Sequence, residues 1–142
     1  MKPVLSVRKF QRTDYSRLFQ IWQEVGLTLG ASDTEPEVMR LLEHNPETCF
    51  VLEEDGLVVG CVLGGFDGRR GLVHHLAVDP KFQGRGYGRA LMDELDRLFK
   101  EMGVVKYSFW IEVDNPQAID FYQHIGYDLR DLITMSKTLI DG

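Results

Sequence analysis

The sequence predicts an α/β fold in which one mixed β-sheet is flanked by helices, with residues 1–142 forming a single domain. Three observations predict it. Apolar runs of strand length alternate with segments of helical period. Two of those runs are joined by Asp55-Gly56, a dipeptide suited to a two-residue hairpin turn. A third run, Leu72–Val78, leads through a loop holding Gly84, Gly86 and Gly88 into an amphipathic helix.

The elements follow in order. Val4–Phe10 reads as a first strand, and Thr13 or Asp14 can cap a helix carrying Leu18, Ile21, Trp22 and Val25 that Gly26 closes. Leu27–Glu35 is a loop, and a short helix begins near Pro36 with Val38, Leu41 and Leu42 on its apolar face. The hairpin Cys49–Glu54/Leu57–Phe66 comes next. Its turn sets Glu54 opposite Leu57, and hence Cys49 opposite Val62 and Phe50 opposite Cys61. That register puts the two thiols on opposite faces and predicts buried, reduced cysteines. After a turn at Asp67–Gly71 and the third central strand, Leu91, Leu95, Leu98 and Met102 recur at helical spacing up to Gly103. A fifth strand over Val104–Val113, a short helix after Asn115 and a final pair of strand segments through Leu139 complete the expectation.

With 142 residues, the chain can bury a substantial core without disulfides or metals. A net charge of −6 argues against general nucleic-acid binding. The apolar runs are too short to cross a bilayer, and Met1-Lys2-Pro3-Val4 lacks the apolar region of a signal peptide, so no membrane partner and a cytoplasmic location are expected. No metal site is expected either. His74 and His75, adjacent on a strand, should face opposite ways, and His44 and His124 have no companions at ligand spacing.

The glycine loop carries the strongest chemical signal. Glycines leave backbone N–H groups unshielded where the helix dipole is positive, which suits a phosphate or pyrophosphate. The alternative is a turn that merely allows tight strand-to-helix packing. Neither G-x-G-x-x-G nor a Walker A loop is present: Gly84 reaches Arg89, Gly86 reaches Leu91, and no G-K-[ST] follows. What stands there is Gln83-x-x-Gly86-x-Gly88. Downstream lies Asn115 before a short helix, followed by Tyr122-x-x-x-Gly126-Tyr127. The two motifs in this order resemble the GNAT superfamily of acetyl-CoA-dependent N-acetyltransferases, and the resemblance spans nearly the whole chain.

The resemblance implies a GNAT-like (acyl-CoA N-acyltransferase) fold, whose fourth and fifth strands splay to admit the acyl-pantetheine arm. It implies that the main chain of Leu76, Ala77 and Val78 pairs with pantetheine, with an N–H such as that of Val78 facing the thioester oxyanion. Gln83, Gly84, Arg85, Gly86, Tyr87, Gly88 and Arg89 would hold the pyrophosphate, with Lys81 adding positive charge. Asn115 would cap the short helix and position a nearby pantetheine group. Tyr122 would protonate the departing thiolate; the alternative is a core tyrosine on the apolar face shared with Ala118 and Ile125.

The acceptor also needs a base. An amine of pKa about 10.4 is neutral in roughly one molecule in 2,500 at pH 7, and freeing it costs about 4.6 kcal/mol. The early fourth-strand glutamate of some family members aligns with Leu72, so this chain departs from that version. Glu112, at the end of the fifth strand, is the catalytic candidate; His74 and water stay open.

The implied reaction is direct attack of a primary amine on acetyl-CoA in a ternary complex, because no cysteine or serine is placed as a covalent carrier. The acceptor would enter by Leu27–Glu35 and Trp110, and a small molecule, a protein N-terminus and a lysine all remain open. A homodimer is compatible with the resemblance. The alternative function is a non-catalytic acyl-CoA sensor or interaction module on the same fold.

Overall fold

A computed structural model describes residues 2–140. Its order is β1 (Leu5–Lys9), α1 (Tyr15–Glu24), α2 (Glu35–His44), β2 (Cys49–Glu54), β3 (Leu57–Phe66), β4 (Gly71–Val78), α3 (Tyr87–Glu101), β5 (Tyr107–Ser108) and α4 (Pro116–His124). The strands lie in the order β1-β2-β3-β4-β5; the first three pairings are antiparallel, and β4–β5 is parallel. The mixed sheet flanked by helices is the expected class.

The core has two layers. On one face Leu18, Ile21 and Trp22 of α1 and Val38 of α2 pack on Val51, Cys61 and Leu63. On the other, Leu91, Leu95 and Phe99 of α3 pack on Phe50, Leu52, Val62 and Val73. Alternation along β2 and β3 feeds both layers, which is why residues 49–52 and β3 are apolar throughout.

The hairpin turn forms as expected, with Asp55 at φ +50° and Gly56 at +83°, as a two-residue turn of the primed type requires. Glu54 faces Leu57, but the register then shifts between Leu52 and Glu53, so that Leu52 faces Gly60, Val51 faces Cys61 and Cys49 faces Leu63. This bulge corrects the expected pairing. Cys49 and Cys61 share the α1 face, yet their partners across the hairpin are different residues and both thiols are free and buried. Burial pushes each thiol up to about 12.

A second bulge corrects the two histidines. β4 pairs with β3 through Leu63–His75 and then Gly64–Val73, which leaves His74 as the extra residue. Both imidazoles consequently lie on the α1/α2 face. The His75 ring is 4.6 Å from that of Trp22, and a β-carbon at Gly65 would lie 2.9 Å from His74 Nε2 and 3.4 Å from Leu41.

The fifth strand is far shorter than Val104–Val113. Only Tyr107 and Ser108 pair, with Gly71 and Leu72. Gly71 allows this approach, since a β-carbon there would lie 2.8 Å from Tyr107 Cβ and 3.1 Å from the Phe99 ring. From Phe109 the chain turns into an aromatic cluster instead of continuing along β4. The expected final strand pair is absent from residues 128–140: with β5 ending at Ser108 there is no long edge for it to join, and Leu132, Ile133 and Met135 stand exposed.

Candidate active site

The candidate site lies where β4 and β5 part. Beyond Leu72 and Ser108 the two strands no longer pair, so the β4 edge from Val73 to Val78 has no strand partner on that side. Leu76, Ala77 and Val78 lie on this segment. The open edge leads directly to the glycine loop.

That loop is firmly tied. Asp79 accepts from the Lys81 N–H at 2.9 Å and from Arg17 of α1 at 2.6 Å. Arg17 also donates to the Val58 carbonyl. Burial alone would raise the Asp79 pKa, but the Lys81 amide and Arg17 outweigh it and hold the carboxyl below its ordinary value. Gln83 donates to the Val78 carbonyl at 3.0 Å, joining the loop to the strand end. Gly84 and Gly86 adopt φ +80° and +81°, the left-handed region where a β-carbon is strained, and Gly86 is the N-cap of α3. A β-carbon at either would meet nothing within 4 Å, so these glycines leave open space above the loop.

Among the described residues the N–H groups from Gly84 to Arg89 donate no hydrogen bond. They lie at the positive end of a 15-residue helix, and two left-handed residues curve the chain there. Donors of this kind fit a pyrophosphate, and the open space lets it approach the main chain.

The basic side chains differ from one another. Arg89 is exposed and 3.9 Å from Asp93, and Lys81 is exposed with no ion pair among the described residues. Arg85, expected at the phosphates, instead donates to Glu54 at 2.8 Å and lies over the Phe82 ring. Tyr87 donates to the same carboxylate at 2.5 Å, and both Tyr87 and Glu54 are buried. In this arrangement Arg85 and Tyr87 anchor the loop to β2. Sequence reasoning missed Glu54, because a carboxylate beside a hairpin turn carries no signal that it will meet a residue 31 positions later.

Past β5 the chain gathers into an aromatic cluster. Tyr122 of α4 packs edge-on against Phe109 at 4.8 Å and Tyr127 at 5.7 Å. Burial and the neighbouring Tyr127 push its pKa up to about 12, so the phenol keeps its proton at neutral pH. Its hydroxyl makes no hydrogen bond, and no buried side-chain N or O lacks a partner among the described residues. The hydroxyl of this half-buried residue therefore reaches solvent. Asn115 accepts from the Ala118 N–H at 3.3 Å and caps α4 as expected. Glu112 is exposed, and its side chain makes no hydrogen bond or ion pair among the described residues.

One pair was not singled out by the sequence. His75 Nε2 lies 2.6 Å from Asp33 Oδ1 in the loop before α2, and both side chains are largely buried. Tyr15 of α1 donates to the Asp33 carbonyl at 2.6 Å and steadies the loop. The two partners are 42 positions apart, so spacing could not reveal them.

Known proteins share this architecture. Residues 9–127 match the model of a family described as the acetyltransferase (GNAT) family. An acetyltransferase of Yersinia enterocolitica is 35% identical over 136 residues, which is 96% of each chain. The crystal structure of Ard1 from Thermoplasma volcanium is 27% identical, covers 89% of this chain and 84% of its own, and has a TM-score of 0.80. PaiA N-acetyltransferase from Thermoplasma acidophilum, solved with coenzyme A, is 14% identical with a TM-score of 0.81 over 92% of this chain and 93% of its own.

Proposed function

The chain belongs to the GNAT acetyltransferase family, and we propose that it transfers the acetyl group of acetyl-CoA to a primary amine by direct attack in a ternary complex. The single observation that carries this reading is the run of free N–H groups from Gly84 to Arg89, held open beside the unpaired edge of β4. In this reading the amides hold the pyrophosphate, Gly88 keeps the first helical turn bare, and Arg89 and Lys81 supply charge. Gln83, Arg85 and Tyr87 serve as ties that hold the loop in shape. The pantetheine arm lies along Leu76–Val78, where an N–H of the open edge can meet the thioester oxygen.

Tyr122 supplies the proton to the leaving sulfur. Its raised pKa keeps the proton in place until the thiolate forms, and its hydroxyl is accessible. Two features favour catalysis over a coenzyme sensor: a proton donor on the β5 wall and an oriented histidine on the β4 wall.

The test measures thiol release from acetyl-CoA in the presence of spermidine, kanamycin or an alanine-initiated peptide. Thiol release that depends on one of these amines, with a product heavier by one acetyl group, supports the proposal. Binding of acetyl-CoA without transfer to any of them would favour the sensor.

A further inference from the structure

We propose that His75, oriented by Asp33, is the base that takes the proton from the acceptor amine. The inference rests on the acetyltransfer reading above and names the group that reading leaves open. Its basis is position. The β4 bulge turns His75 toward α1, one residue before the Leu76–Val78 edge and against the loop that carries Asp33. The imidazole thus bridges the coenzyme strand and the expected acceptor loop.

Its chemistry follows from the contact. A carboxylate only accepts, so the 2.6 Å bond to Asp33 fixes the proton on Nε2 and leaves the Nδ1 lone pair free. Nδ1 has no hydrogen-bond partner, and no unpartnered side-chain nitrogen is buried among the described residues, so Nδ1 is open to solvent. Glu112, by contrast, has no partner among the described residues to orient it.

The groups facing this imidazole are few. Asp33 comes from the loop before α2, Tyr15 from α1 through its bond to the Asp33 carbonyl, and His74 from the same strand. From β3, the Cys61 thiol is engaged by the Trp22 N–H at 3.3 Å, and the Trp22 ring lies tilted against that of His75. Glu35, at the start of α2, acts on Tyr15. Burial, and then the neighbouring His75, hold His74 below the ordinary histidine value, which disfavours two charged imidazoles side by side. The cluster does not converge as a metal-ligand set.

The step balances. An ammonium R–NH3+ gives one proton to Nδ1, and the freed lone pair forms the N–C bond to the thioester carbonyl carbon. As the C–S bond breaks, sulfur leaves with its electron pair and takes the Tyr122 hydroxyl proton. The amide nitrogen gives up a second proton, which restores Tyr122, and the imidazolium releases its own to solvent.

The experiment combines two readouts on the full chain. Nitrogen-15 NMR of the imidazoles reports the tautomer: neutral His75 should carry its proton on Nε2, and Asp33→Asn should mix the two forms. The pH dependence of kcat/KM is measured with acetyl-CoA and whichever of spermidine, kanamycin or the alanine-initiated peptide is acetylated. His75→Gln should lower kcat about a hundredfold and remove the lower limb of the profile, while calorimetry shows acetyl-CoA binding intact. Asp33→Asn should lower kcat about tenfold with the same binding. Three results overturn the inference: a proton on Nδ1, a lower limb that survives His75→Gln, or a lower limb that only Glu112→Gln removes. If the wild type binds acetyl-CoA and acetylates none of the three amines, the enzymatic reading falls and takes the base with it. Transfer with an unchanged His75→Gln profile removes the base alone.

Discussion

The two walls of the β4–β5 cleft are held by different forces. On the β4 wall, the glycine loop is fixed by buried carboxylates: Asp79 binds Arg17 and the Lys81 amide, and Glu54 binds Arg85 and Tyr87. On the β5 wall, two paired residues give way to Phe109, Tyr122 and Tyr127, which pack edge to face with few polar ties. Directional bonds hold donors where a fixed anion must meet them. Aromatic packing fixes less, and among the described residues the Tyr122 hydroxyl makes no hydrogen bond. In the proposed reaction the first wall holds the coenzyme in position and the second presents a proton.

The largest expected effect sharpens this contrast at the core. Leu95 is fully buried beneath the β4 wall, and Leu95→Ala should cost about 3 kcal/mol in urea unfolding. Tyr122→Phe should slow turnover about a hundredfold while calorimetry shows unchanged coenzyme affinity. A loss of affinity instead would make Tyr122 part of the binding wall and erase the distinction.

Removing the partner of a buried carboxylate comes next. Arg17→Met should cost about 2 kcal/mol, since Asp79 loses a charged donor. The sign with pH follows from the depressed Asp79 pKa: its contribution is present above the ordinary carboxylate range and lost as pH falls through the folded value. The wild type should lose stability in acid more steeply than Arg17→Met, as urea midpoints between pH 6 and pH 2 will show. The thiols act at the other end. Cys49 and Cys61, pushed to about 12 by burial, keep their protons when the unfolded chain loses them, so stability falls as pH rises above about 9. Replacing both with alanine should flatten that fall. The smallest effect lies beyond the β5 wall: Ile133 is exposed, and Ile133→Ala should stay within about 0.5 kcal/mol of the wild type.

The same two walls were unequally legible in the sequence. The strands of the β4 side, the Asp55-Gly56 turn, the glycine loop and α3 follow from period and turn chemistry, which are local properties. The bulges at β3 and at His74 do not, because one extra residue leaves the apolar pattern nearly unchanged while it moves a side chain across the sheet. Beyond Ser108, the run to Val113 has the composition of a strand, but Phe109 packs against Tyr122 and Tyr127 instead of pairing along the sheet edge. In the candidate site, the glycines, Asn115 and Tyr122 were visible as motifs. Glu54 and Asp33 were not, because each acts on a partner distant in sequence and neither sits in a pattern.

The most direct test of the account is a calorimetric titration of acetyl-CoA into the wild type and into Gly86→Val, whose side chain would stand at φ +81° over the free N–H groups. The account predicts one-to-one micromolar binding to the wild type and at least tenfold weaker binding to the variant. No heat from the wild type at two temperatures, or equal affinity in the two proteins, would contradict it.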